Sequence, residues 1–354
     1  MAEKILMKGN EALAEAAIRA GCRCFFGYPI TPQTQVAEYM AKKMPKIGGV
    51  YLQSESEIAA INMVMGASSV GARAMTSSSS PGISLKAEGI SYIAGCDLPA
   101  VIVNMQRGGP GLGGIQPAQS DYFQATKGLA HGDFRVIVLA PSGVQEIVDL
   151  MGKAFDLADQ YRMPVMILGD GMLGQMMEPI VLPEPKEVDR SAKTWAASGT
   201  DGKRKHNIIN SLYIQPDELE QIVKERYERY AKIEKDEVMC ENYLTDDAEI
   251  VIAAYGACAR IAKNAIAAAR AEGIKVGLIR PITLWPFPSD AYRKAAETAK
   301  AFLTVEMSMG QMVDDVKLAV ECKKPVHFFG RTGGVVPTPA EILDQLKKIH
   351  GGEL

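Results

Sequence analysis

Two carboxylates sit where an apolar helix begins. In Tyr51-Leu-Gln-Ser-Glu-Ser-Glu-Ile-Ala-Ala60, a short buried strand over residues 49–53 is expected to run into a helix from Ile58, rich in small residues as far as Gly71. Glu55 and Glu57 fall at the junction, and Glu57 leads straight into the apolar run. A carboxylate there costs free energy unless a hydrogen-bonding partner meets it. The competing reading is local: Ser54-x-x-Glu57 has the form of a capping box, in which the Glu reaches back to the N-cap N–H. Small residues such as Ala59, Ala60 and Gly66 would let this helix approach another backbone closely.

A second candidate is Arg107, which lies just past the mostly apolar stretch 98–105 and precedes Gly108-Gly-Pro-Gly-Leu-Gly-Gly114. A guanidinium held at such a place can take a carboxylate through two parallel N–H···O bonds. Its structural alternative is an ion pair with Asp97 or Asp121. Hydroxyls come from Thr31, in Tyr28-Pro-Ile-Thr-Pro32, and from the serine run 77–80.

These residues need a scaffold, and the pattern supplies one. Apolar strands and amphipathic helices alternate along the chain, which predicts an α/β protein with two doubly wound, mostly parallel sheet domains. The boundaries expected are 1–182, a linker over 183–246 with a charged helix at 216–236, and 247–354. Thr31-Pro32 reads as N-cap and first residue of a helix over 33–43. Segment 280–288, Arg-Pro-Ile-Thr-Leu-Trp-Pro-Phe-Pro, reads as a stiff connector against which a domain packs. Open α/β sheets bind ligands beyond the C-terminal ends of their strands. Loop 28–31, the Glu55–Glu57 junction, the serine turn and the Arg107 loop are all expected there.

Other motifs carry less. Gly169-Asp-Gly171 resembles the start of a diphosphate and magnesium motif, but the next asparagine, Asn207, lies across the proline-rich linker, so no second oxygen ligand follows at the right spacing. Asp170 is therefore read as a strand-end turn residue. Gly109-Pro-Gly-Leu-Gly-Gly114 matches G-x-G-x-x-G as a string but opens no helix. The four histidines have no metal spacing, and no metal ligands are assigned. The six cysteines are scattered, without the clustering that iron–sulfur ligation needs. With 354 residues and a net charge of -3 there is no basic footprint for nucleic acid. No signal peptide and no apolar run near 20 residues is found, so a cytoplasmic protein is expected.

Taken together, Tyr28-Pro-Ile-Thr-Pro32, Ser54-Glu-Ser-Glu-Ile-Ala-Ala60, Thr76-Ser-Ser-Ser-Ser-Pro-Gly82 and Gln106-Arg-Gly-Gly-Pro110 come in the order and spacing of the 2-oxoacid:ferredoxin oxidoreductases. The chain resembles their alpha subunit over its whole length, with a pyrimidine-binding domain and a transketolase C-terminal-like domain. It is most similar to that of the branched-chain (2-oxoisovalerate) enzyme, with the 2-oxoglutarate enzyme second. The resemblance implies that Glu57 hydrogen-bonds N1′ of the aminopyrimidine of thiamine diphosphate, and that Thr31 and Arg107 meet the 2-oxoacid. Tyr28, Pro29 and Ser80 are placed at the cofactor. It further implies a beta subunit holding the diphosphate, Mg2+ and an iron–sulfur cluster, a gamma subunit, and a small ferredoxin-like subunit with further clusters. Coenzyme A would be the co-substrate and ferredoxin the electron acceptor. A scaffold subunit without catalysis is the alternative.

Overall fold

In the computed structural model, which describes residues 4–354, the apolar runs of the first half become a seven-stranded sheet. Its spatial order is Thr283–Trp285, Ile137–Leu139, Pro164–Asp170, Ala100–Gln106, Ala74–Ser78, Cys24–Gly27 and Val50–Gln53. The six strands from the first half pair in parallel. The two central ones, 100–106 and 164–170, are buried along their whole length, as expected where helices cover both faces.

Chain order reverses beside strand Cys24–Gly27. Its helix, Thr34–Lys43, leads outward to Val50–Gln53, whereas the helix Pro81–Gly95 leads the other way, to Ala100–Gln106. The crevice at such a reversal is where doubly wound sheets hold ligands. Here it separates loop 28–31 from turn 78–80, and Ser77 Oγ donates across it to Gln33 Oε1 at 2.5 Å.

The second sheet runs Val326–Gly330, Ala301–Glu306, Ile250–Ala253, Val276–Pro281 and Cys240–Tyr243, the last strand antiparallel. Several details differ from the sequence expectation. Strand Cys240–Tyr243 falls in the expected linker yet pairs with Val276–Pro281. Thr283–Trp285, read as a connector, pairs antiparallel with Ile137–Leu139 and so covers a free edge of the first sheet. A strand edge left open would present unpaired N–H and C=O groups. Strand Val50–Gln53, expected to be buried, is an outer strand with Val50 and Leu52 exposed. Ile5–Lys8 and Met177–Ile180 add an unforeseen antiparallel pair.

The charged helix Pro216–Asp236 buries one face, formed by Arg226, Tyr230 and Ile233. Tyr230 meets Trp285 edge to face at 5.8 Å, and Arg226 binds Asp97 at 3.1 Å. The two sheets are also tied by Gln119, which donates to Tyr255 O at 2.9 Å and accepts from Met307 N at 3.1 Å. Arg280 holds both oxygens of Glu146 at 2.9 Å and Glu241 at 2.7 Å. Among the described residues no helix is long and apolar enough to cross a membrane.

Candidate active site

The helix carrying Glu57 starts for a different reason than the capping box suggests. Its N-cap is Ser56, whose hydroxyl accepts from Ala59 N at 3.2 Å, and Glu57 is the first helical residue. Ser54 is occupied elsewhere, donating to Gly27 O at 3.1 Å and to Ser56 O at 2.8 Å. It thereby ties the helix entrance to the end of strand Cys24–Gly27. Glu57 is left with no capping duty. It is 5% exposed, while Glu55 stands in solvent at the rim. Among the described residues its carboxylate takes neither a hydrogen bond nor an ion pair.

The close helix approach expected from Gly66 is made by other glycines. Gly66 has nothing near it. On the neighbouring helix Pro81–Gly95, a Cβ on Gly82 would lie 2.0 Å from Ser78 Oγ and 2.6 Å from Glu57 Oε1, and one on Gly89 would lie 2.4 Å from Ile61 Cγ2. The two helices therefore meet along a glycine seam that ends at Glu57. Among the described residues Ser78 Oγ, beside Gly82, and Ser79 Oγ and Thr76 Oγ1 on the same strand and turn are buried without partners. Buried polar atoms are nearly always paired, so such a cluster marks a place for a ligand or ordered solvent.

Arg107 is 7% exposed and pairs with neither acid expected. Asp97 is taken by Arg226 and by Arg229, the latter at 2.6 Å. Asp121 accepts from Ser80 Oγ at 2.6 Å and from Asn104 Nδ2 at 2.9 Å; burial raises its carboxyl from its ordinary value and those two bonds oppose the rise. The guanidinium instead donates to two backbone carbonyls, Thr31 O at 2.9 Å and Leu112 O at 3.2 Å, and its Nε is left over. A buried cation with no carboxylate beside it is poised for an anion.

Thr31 does not cap a helix, since the next helix begins at Thr34 with Gln33 as its N-cap. Its loop is pinned at Pro32 O by Asn10 Nδ2 at 2.8 Å and Gln175 Nε2 at 3.0 Å. Tyr28 and Pro29 are exposed on the same loop. Ser80, expected at the cofactor, has its hydroxyl engaged within the chain. Besides binding Asp121, its hydroxyl accepts from Arg107 N at 3.1 Å, so it supports Arg107 from below, and Ser78 and Ser79 hold the free hydroxyls.

Beyond Arg107 the glycines form a tight hairpin rather than a phosphate loop. Gly114 N donates to Gly108 O at 2.9 Å and Gly108 N to Gln116 O at 3.0 Å. Gly111 and Gly113 have φ of +68° and +56°, and Leu112 between them is 83% exposed. Gly333 and Gly334 of the second half lie against Gly108, and Gly334 also packs on Gln116. Asp170 ends its strand and caps the helix Gly171–Gln175, accepting from Met172 N at 2.9 Å and Leu173 N at 3.0 Å. Burial pushes its carboxyl up to about 6 against those two bonds.

Comparison with known proteins gives these features a family. The family described as pyruvate flavodoxin/ferredoxin oxidoreductase, thiamine diphosphate-binding, matches residues 15–242, and pyruvate:ferredoxin oxidoreductase core domain II matches residues 248–342. The ketoisovalerate oxidoreductase subunit VorB of Methanothermobacter thermautotrophicus is 49% identical over 346 residues, covering 98% of each chain. The 2-oxoglutarate synthase subunit KorA of Methanothermobacter marburgensis is 38% identical over 374 residues, covering 98% of this chain and 99% of its own. Among solved structures, the 2-oxoglutarate:ferredoxin oxidoreductase from Magnetococcus marinus, with 2-oxoglutarate, coenzyme A and succinyl-CoA bound, matches at a TM-score of 0.87 and 29% identity. That match covers 98% of this chain and 65% of that one. Sequence, both matched halves and fold agree, and the chain belongs to the 2-oxoacid:ferredoxin oxidoreductases as one of their subunits.

Proposed function

We propose that this chain supplies the substrate-binding and pyrimidine-facing part of a branched-chain 2-oxoacid:ferredoxin oxidoreductase. The complex converts 2-oxoisovalerate and coenzyme A to the acyl-CoA and CO2, and ferredoxin takes the electrons. The observation that carries this reading is a pair of buried, unneutralised charges around one crevice, the Glu57 carboxylate and the Arg107 guanidinium. Thiamine diphosphate, when bound, supplies the means of holding the electrons that decarboxylation releases.

The residues present fit its pyrimidine end. Glu57 offers a carboxylate with no competing donor, Gly82 leaves room beside it, and the Ser78 and Ser79 hydroxyls are free. Glu57 would hold a proton at N1′, and Tyr28 and Pro29, exposed on the neighbouring loop, are available to contact the ring. Arg107 grips the carboxylate of the 2-oxoacid, and Thr31, whose carbonyl holds that guanidinium, offers its hydroxyl to the keto oxygen. The diphosphate and Mg2+ belong to a beta subunit, because Asp170 is already engaged by backbone N–H groups. Iron–sulfur clusters belong to the beta subunit and a small ferredoxin-like subunit, and a gamma subunit completes the assembly. Exposed Leu52, Ile58 and Leu85, on the elements around Glu57, suit such a subunit interface.

The VorB relatives favour a branched-chain substrate over 2-oxoglutarate. So does the hairpin beyond Arg107, which presents apolar Leu112 and Ile115. The additional guanidinium in the adjoining loop, Arg331, is bound to Glu341 at 2.5 Å and offers no free clamp for a second carboxylate.

Two measurements test the reading. Calorimetry on the isolated chain is expected to show no magnesium-dependent, micromolar binding of thiamine diphosphate; such binding would place the diphosphate site here. The reconstituted complex, assayed for coenzyme A-dependent ferredoxin reduction, is expected to prefer 2-oxoisovalerate to 2-oxoglutarate and pyruvate. Equal or better use of 2-oxoglutarate would overturn the substrate assignment.

The hairpin gives a sharper check. A Cβ on Gly113 would sit 1.9 Å from Gly108 O at a φ of +56°. Gly113→Ala is therefore expected to open the hairpin and release Leu112 O from Arg107. Strain of this kind costs on the order of 1–3 kcal/mol, so KM for the 2-oxoacid should rise about tenfold with the melting temperature little changed. An unchanged KM would detach the hairpin from substrate binding.

A further inference from the structure

Asp121 stands at the start of helix Tyr122–Thr126, where an aspartate ordinarily caps free N–H groups, yet its side chain makes no cap bond. It turns inward instead. One oxygen, Oδ2, accepts from Ser80 Oγ at 2.6 Å and from Asn104 Nδ2 at 2.9 Å. Asn104 Oδ1 accepts from Ser80 N at 3.1 Å, so Ser80 is held through both its amide and its hydroxyl. Asp121 N donates in turn to Gln106 Oε1 at 3.0 Å, on the residue before Arg107.

A serine hydroxyl has one proton, and two acceptors compete for it here. Asp121 Oδ2 lies at 2.6 Å and Arg107 O at 3.3 Å, and the shorter bond to the charged group is the stronger. With its proton spent on Asp121, the Ser80 oxygen is left to accept, and it takes Arg107 N at 3.1 Å. The backbone of Arg107 is thereby fixed where the chain leaves strand Ala100–Gln106. From that point its guanidinium reaches Thr31 O and Leu112 O.

The second half of the chain holds this arrangement from outside. Gln311 straddles Asp121, donating through Nε2 to Ser120 O at 2.7 Å and accepting at Oε1 from Phe123 N at 2.7 Å. Its own backbone is anchored. Gln311 N, Met312 N and Val313 N all donate to Glu306, which is fully buried at the end of strand Ala301–Glu306.

We propose that Asp121 is a positioning residue for Arg107, acting through the Ser80 hydroxyl, and that Gln311 holds Asp121 in place for that task. This rests on Arg107 taking the carboxylate of the 2-oxoacid. Asp121 acts on the backbone of Arg107 and leaves the guanidinium free for the anion. A planar fork grips a carboxylate well only when it is aimed, and the relay from Gln311 supplies the aim.

In the reconstituted complex, Asp121→Ala is expected to raise KM for 2-oxoisovalerate about tenfold, as for a lost bond to a charged group, with kcat changed by at most about twofold. Asp121→Asn can keep both bonds through its amide oxygen and should raise KM only about threefold. Gln311→Ala, which leaves the first sheet untouched, should also raise it about threefold. Calorimetry with 2-hydroxy-3-methylbutanoate, which carries the carboxylate but cannot be decarboxylated, should show the same weakening of Kd. The affinity for thiamine diphosphate should not move. In an Arg107→Ala background, Asp121→Ala should add less than about twofold, because both changes remove one interaction. An unchanged KM in either Asp121→Ala or Gln311→Ala would overturn the proposal. So would a full additional loss in the Arg107→Ala background, or an equal loss of cofactor affinity, since Asp121 would then serve the fold and not Arg107. The reading beneath it fails separately: if Arg107→Lys leaves kcat/KM unaltered, Arg107 does not hold the substrate, whatever Asp121 does.

Discussion

Glu57→Gln is expected to leave the fold intact and to silence the reconstituted complex. The helix start does not depend on this side chain, because Ser56 caps it and Ser54 anchors it to Gly27. Gln has nearly the same volume and removes a buried charge, so the melting temperature should not fall. What Gln cannot do is hold a proton at N1′. Proton exchange at C2 of the bound cofactor, followed by NMR, should slow by at least the ~100-fold typical of a lost acid–base group. Exchange at the wild-type rate would refute the assignment. Glu55→Gln is the control. Glu55 is exposed and takes only a 3.3 Å hydrogen bond from Ser56 Oγ, so its loss should be mild.

Arg107→Lys is expected to lower kcat/KM for the 2-oxoacid by roughly 30-fold. This corresponds to about 2 kcal/mol for a charge-assisted bond that an ammonium cannot replace in planar form. The guanidinium now spends two donors on Thr31 O and Leu112 O and keeps Nε in reserve, and a lysine can reproduce at most part of this. Cofactor binding, measured by calorimetry on the complex, should change much less. Unaltered kcat/KM would show that Arg107 serves only to brace loop 28–31 against the hairpin.

The alternation of apolar runs and helices was sufficient to find the parallel strands and the loops that converge on the crevice. The same reasoning picked out Glu57 and Arg107, since a charge at the end of a buried run has few ways to be satisfied. Local strings misled where long-range contacts decide. Ser54 and Ser56 are equally good caps on paper. Only the bond from Ser54 to Gly27, 27 residues away, assigns the cap to Ser56. The small residues after Glu57 suggested a close approach, but the backbone that comes near belongs to Gly82 and Gly89 on the next helix. The burial of Lys86 was not foreseen. Its signal was the spacing Gly82, Lys86, Gly89, which repeats once per helical turn and makes sense only when the facing helix is known. Thr283–Trp285 was missed because three residues among prolines carry no strand period, and their partner lies far back in the chain.

That same short strand has a consequence for how the molecule is made. Ile137–Leu139 emerges during synthesis well before Thr283–Trp285, and at roughly 5–20 residues per second the interval is on the order of ten seconds. For that time the nascent first sheet carries a bare apolar border of three fully buried residues, Ile137, Val138 and Leu139. Completion of this edge of the first sheet thus waits for the C-terminal half. A gene cut at the boundary between the two matched families would leave the edge-covering strand on the other piece. Each piece would need the other present to hide an edge that invites intermolecular strand pairing.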